Sequence, residues 1–142
     1  MIIQALALIA TAIFSGAAIY INLVEQPARL NLDNHALLLE WKPAYKKGFI
    51  MQSSLALVAG ILGIISFFKS GNYYWLIGAV LILLNWPYTL IVMLPTNNKL
   101  LATNIKLADE LTRNLIIRWG KLHAVRSLLG LVTTFIFLLA FI

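Results

Sequence analysis

Of the chain's 142 residues, 61% are hydrophobic and only 11% charged, against about 25% charged in soluble domains. A chain this short cannot bury that much apolar side chain away from water, so lipid is the solvent its composition fits. The formal net charge of +6 reads as membrane topology and attraction to anionic lipid heads rather than nucleic-acid binding. The absence of cysteine excludes disulfides and thiolate metal sites.

Four apolar runs follow one another along the chain. Residues 1–22 and 49–68 carry no Asp, Glu, Lys or Arg, 73–94 carries none, and 122–142 carries only Arg126. Each is about 20 residues, the length a helix needs to cross a ~30 Å hydrocarbon core. None alternates as a barrel strand does. The expectation is an all-α integral membrane four-helix bundle, one transmembrane domain over residues 1–142. The first run lacks the basic leader and small-residue cleavage pattern of a signal peptide and is kept as a span.

The connections are unequal. Residues 25–48 hold Arg29, Lys42, Lys46 and Lys47, and 95–121 hold Lys99, Lys106, Arg113, Arg118 and Lys121, whereas 69–72 hold only Lys69. The positive-inside rule then puts two long loops in the cytoplasm and both termini outside, in an inner or plasma membrane. Both loops are expected to contain short interfacial helices. Asp33 or Asn34 would cap the first, with Pro43 breaking or restarting it, and Thr103 would cap the second.

The halves echo each other weakly. Tyr20 and Pro27 stand at the same spacing as Tyr88 and Pro95, and Trp41 and Tyr45 at the same spacing as Trp119 and His123. Such a pattern fits two span–loop–span units, but aromatic residues and prolines are common at span ends in any case.

Polar residues inside spans point to function, because burying them in lipid is costly. Taking 100° per residue, Ser15, Asn22 and Glu25 share one face of the first span. Asn85, Tyr88 and Thr89 share one face of the third, and Trp119, His123 and Arg126 one face of the fourth. Gln52 heads a stripe of Ala56, Ala59 and Gly63 on the second span. Small residues there permit close helix approach within the bundle or in a homodimer.

The convergence of Glu25, Gln52, Asn85, Tyr88, His123 and Arg126 suggests a pocket open toward the loops. Plain interhelical hydrogen bonding is the other reading of any one of them. Arg126 either serves an anionic oxygen or snorkels to the interface. A neutral His123 can accept a proton, or is a wetted rim residue. Pro87, beside Trp86, is expected to kink the third span, which makes room for a ligand or only tunes packing. A metal or haem reading finds only His35 and His123 and no paired ligand motif.

The order "WPYTLIVMLPTNNKL" then "RWGKLHAVR", with "EQPAR" and Trp41 in the first loop, resembles the anthrone oxygenase-like family of small four-span membrane proteins. The resemblance covers nearly the whole chain. It implies oxidation of a hydrophobic aromatic ketone or phenol by O2 with no cofactor and no metal. It makes His123 the base. It gives the oxyanion to Arg126 and the Asn97 and Asn98 amides, and ring stacking to Trp86 and Tyr88. Glu25, Gln52, Asn85 and Trp119 complete the expected binding set. The partners implied are a hydrophobic small molecule and membrane lipids. The alternative is a non-catalytic membrane protein that binds a quinone, lipid or other hydrophobic molecule in the same pocket.

Overall fold

A computed structural model describes all 142 residues. It contains four long apolar helical rods, each long enough to cross a membrane: α1 (Ile2–Arg29), α2 (Asn34–Ser70), α3 (Tyr73–Ala102) and α4 (Glu110–Phe141). Successive rods pack side by side, and α4 returns to α1, so the four close an up-down ring. Both termini lie at the end where α2 turns into α3. The connections from α1 to α2 and from α3 to α4 lie at the other end.

The rods are longer than the apolar runs, and the two long loops are mostly helix. The 37 residues of α2 reach about 55 Å at 1.5 Å per residue, well beyond a hydrocarbon core. Between the rods, residues 30–33, 71–72 and 103–109 leave the helix, the last through a 3₁₀ turn at Ile105–Leu107. Asp33 caps α2, its carboxylate accepting from the His35 and Ala36 N–H groups at 2.9 and 3.0 Å. Pro43 does not break this helix. Pro43 is exposed, and the burial of Leu37, Leu38 and Trp41 on the other side of the helix outweighs its local cost. Thr103 is no N-cap: it ends α3, and Asp109 starts α4 in a reciprocal capping box with Thr112.

Two rods are irregular at matching places. In α1 a π-helical turn at Ile21–Glu25 follows Tyr20 and precedes Pro27. In α3 one at Thr89–Met93 follows Tyr88 and precedes Pro95. The echo between the halves therefore extends to backbone geometry. Pro87 adds a further break: α-helical pairing lapses at Leu84, next to the carbonyl its ring would strike.

The core is stacked in three storeys. Leu37, Trp41, Met93, Ile116 and Trp119 fill the connection end. Phe14, Ala56, Ala59 and Ile82 fill the middle. Ala7, Trp75, Ala79 and Phe137 fill the terminal end. The small-residue stripe of α2 is used inside the chain. A Cβ on Gly63 would come within 2.6 Å of the Phe137 ring, and one on Gly60 within 2.5 Å of Leu83. The stripe therefore offers no outward face for a homodimer.

Candidate active site

Between the connection-end and middle storeys the core is polar. His123 and Arg126 are one turn apart on the inner face of α4, 1% and 5% exposed. Arg126 neither snorkels nor meets an acid. Its guanidinium lies 5.8 Å from the Phe14 ring centroid, and the ion pairs of the chain all belong to another arginine, Arg29. Its Nε has no protein partner.

Two partly open hollows meet at Arg126 and Phe49, with about 280 and 300 Å³ of empty space that includes open solvent. The first lies between α2 and α3 and is lined by Ser53, Ala56, Asn85, Trp86, Thr89 and Leu90. Its rim is Trp86 and Leu90, 37% and 51% exposed on the outer surface. The second lies between α1, α2 and α4, where Glu25, Arg29, Tyr45, Gln52, Trp119 and His123 face it. As packed, both hollows admit little beyond a solvent molecule.

The polar groups fall into two kinds. Thr11, Ser66 and Thr133 bond carbonyls of their own helices, and Ser15 joins Thr134 across helices at 2.8 Å. Only the last of these links two helices. Around the hollows the pattern changes. Both ends of the Gln52 amide, the Asn85 Oδ1 and the Trp119 Nε1 are buried without a protein partner. Native proteins leave few such atoms, and those of Gln52, Asn85 and Trp119 belong to residues that line the same two hollows as Arg126.

Most of the residues expected from the sequence converge, and some do not. Gln52, Trp119, His123, Arg126 and Glu25 line the second hollow, and Asn85, Trp86 and Arg126 the first. Glu25 is held by Arg29 in an ion pair. Asn97 is fully buried close to Tyr45 but lines neither hollow. Asn98 is exposed: it is the neighbour of an inward-facing residue on a helix and so points outward. Tyr88 turns out of the hollows. Its hydroxyl donates to the Leu122 carbonyl at 2.9 Å, and its ring lies in a shallow outer groove with Pro87 and Leu129.

Four contributors were absent from the expected set. Arg29 is buried between Glu25 and Glu40, 3.0 Å from a Glu40 oxygen, and its guanidinium lies 5.6 Å from the Trp119 ring centroid. Tyr45 stacks on Trp41 at 4.8 Å, and Trp41 meets Trp119 edge-on at 5.7 Å. Phe49 divides the hollows. Asn22 contacts His123 directly at 2.8 Å. The one available signal was the polar arc of Ser15, Asn22 and Glu25, which names Asn22 but not its partner.

The model of the anthrone oxygenase family matches residues 41–136, which include α4 as far as the site and beyond. The chain belongs to the anthrone oxygenase family. The anthrone oxygenase tpcL of Aspergillus fumigatus is 33% identical, over 92% of this chain and 88% of its own length. An anthrone oxygenase of Claviceps purpurea is 29% identical over 91% and 82%, and nsrD of Aspergillus novofumigatus 28% over 94% and 90%. No solved structure matches the chain. No three His, Cys, Asp or Glu side chains of the chain come together as a metal site.

Proposed function

We propose that the chain is a cofactor-independent oxygenase that converts the acidic methylene of a hydrophobic aromatic ketone to a second ketone with O2. One observation carries this reading: Arg126 is buried with no acidic partner, one helical turn from His123. A desolvated, unpaired cation costs several kcal/mol. An oxyanion placed against it would offset that cost and be stabilised far more strongly than in water.

The chemistry follows from the two groups. His123 takes a proton from the ring carbon opposite the carbonyl, and the electron pair moves to the carbonyl oxygen, which Arg126 holds as an enolate. The enolate is electron-rich enough to pass an electron to O2, and the resulting pair combines into a carbon–oxygen bond. The peroxide so formed takes the proton back from His123. Loss of the second hydrogen from the same carbon then breaks the O–O bond. One oxygen stays as the new ketone and the other leaves with both hydrogens as water, so one methylene and one dioxygen give one ketone and one water. Trp86 and Phe49 would flank the ring system, and the Asn85 and Gln52 amides would meet its oxygen substituents. The basic connection end is assigned to the cytoplasm.

The test is oxygen uptake by purified, chelator-treated protein in nanodiscs with anthrone, measured above the uncatalysed rate in air. His123→Gln should lose essentially all the excess, while Lys121→Gln, exposed on the opposite face of α4, should keep it. Labelled O2 should place one heavy oxygen in the product ketone. Saturable anthrone binding without turnover by the unaltered protein would contradict the enzyme reading and favour a non-catalytic binder of quinones or lipids.

A further inference from the structure

The amide of Asn22 makes three contacts with α4. Its Nδ2 donates to the Gly120 carbonyl at 2.8 Å. Its Oδ1 accepts from the Ser127 hydroxyl at 2.6 Å and lies 2.8 Å from His123 Nδ1. These contacts determine one another. Flipping the amide would set Oδ1 against the Gly120 carbonyl oxygen, two acceptors face to face, so Gly120 fixes which way the amide points. With Oδ1 toward the imidazole, Nδ1 must carry the hydrogen. Nε2 is then the unprotonated nitrogen, and it makes no hydrogen bond within the protein.

The fold holds this arrangement rigidly. One turn along α1, Gln26 donates to the Ile116 carbonyl at 2.9 Å, so two amides of α1 grip two carbonyls of α4 one turn apart. Gly120 makes the close approach feasible, since a Cβ there would stand 2.6 Å from the Gln26 amide nitrogen. The π-turn at Ile21–Glu25 begins just before Asn22 and resets the facing of the residues beyond it. Such turns recur at functional sites.

We infer that Asn22 is the positioning residue of this site: it locks His123 in the Nδ1–H tautomer and thereby makes Nε2 the nitrogen that accepts the substrate proton. The tautomer itself stands on hydrogen-bond geometry alone. Its catalytic consequence rests on the proposed oxygenase function.

Nitrogen-15 NMR of the full chain in nanodiscs separates the two. The chain has two histidines, and replacing the exposed His35 by Gln leaves His123 as the sole imidazole signal. The expected spectrum is one Nδ1–H tautomer. Asn22→Leu should bring in the Nε2–H form and cut kcat by roughly 100-fold with KM little changed. Asn22→Gln retains both an amide oxygen and an N–H donor and should recover part of the Nδ1–H signal and part of the turnover, which also covers the case in which the leucine variant fails to fold. An Nε2–H tautomer in the unaltered chain, or an unchanged Nδ1–H signal in a folded Asn22→Leu protein, overturns the inference. Loss of the Nδ1–H signal in Asn22→Leu, with full turnover kept by His123→Gln, supports the lock and overturns only the role of His123 as base.

Discussion

At the scale of single residues, function here works against stability. Arg126 is desolvated without an acid to balance it, and apolar replacements of buried charges are often neutral or stabilising by about 1–4 kcal/mol. Arg126→Met should therefore raise the thermal midpoint in detergent while abolishing anthrone turnover. A lowered midpoint would show that Arg126 holds the bundle together instead of serving a ligand. The acidic caps behave differently, because they are exposed. Hydrogen bonds from the Ala36 and His35 N–H groups hold the Asp33 carboxyl below its ordinary 3.8, and those from Thr112 do the same for Asp109. A depressed carboxyl pKa contributes stability above the unfolded value and loses it as pH falls through the folded one. Thermal melts should thus show no cap-related loss between pH 7 and 5, with a decline beginning only near pH 4. Asp33→Asn should flatten that decline.

At the scale of helices, the extent of each rod was harder to read than its existence. Uncharged runs mark lipid crossing directly, which is why four spans were legible. Lys42, Lys46 and Lys47 made residues 25–48 look like a loop, yet helix continues through them because Leu37, Leu38 and Trp41 pack into a connection-end core of their own. Hydropathy registers what faces lipid and is blind to helix that packs above it. Side-chain facing was legible where the helix is regular: His123 and Arg126 in unbroken α4 both point inward as a 100° step predicts. It failed next to the π-turn and Pro87 of α3, where Tyr88 left the site. Asn22 could be seen as polar but not as a partner of His123, since that pairing spans 101 residues and no local pattern encodes it. One aromatic side chain ties the terminal ends together. Cβ atoms on Gly63 of α2 and Gly78 of α3 would both run into the Phe137 ring of α4. Gly63→Ala and Gly78→Ala should each destabilise by about 1–3 kcal/mol, and the double variant by less than the sum, because both displace the same ring. Additive losses by differential thermal melting would mean that Phe137 is not the shared obstacle.

At the scale of the molecule, the four rods divide the labour. Their terminal half is mostly apolar packing, with Thr11, Ser15, Ser66 and Thr133 hydrogen-bonded inside it. Their connection half carries every basic residue but Lys69, the Trp41–Tyr45 and Trp119–His123 pairs facing each other, and the hollows beneath them. The first hollow abuts the outer surface of the bundle at Trp86 and Leu90, the side from which the proposed hydrophobic substrate would enter. The proposed orientation can be checked on the cysteine-free chain. A single Lys106→Cys should react with an impermeant thiol reagent only after cells are opened, and Gly71→Cys without opening; the reverse pattern inverts the topology. The central claim, that the chain closes a dry site in which Arg126 receives the oxyanion and His123 the proton, is tested most directly by an experimental structure with an anthraquinone product bound. The ring system should lie between Phe49 and Trp86, a ketone oxygen within about 3 Å of the Arg126 guanidinium, and His123 Nε2 facing the central ring at the carbon opposite. A ligand bound elsewhere, or an Arg126 side chain turned out to lipid or solvent with the two hollows closed, would contradict it.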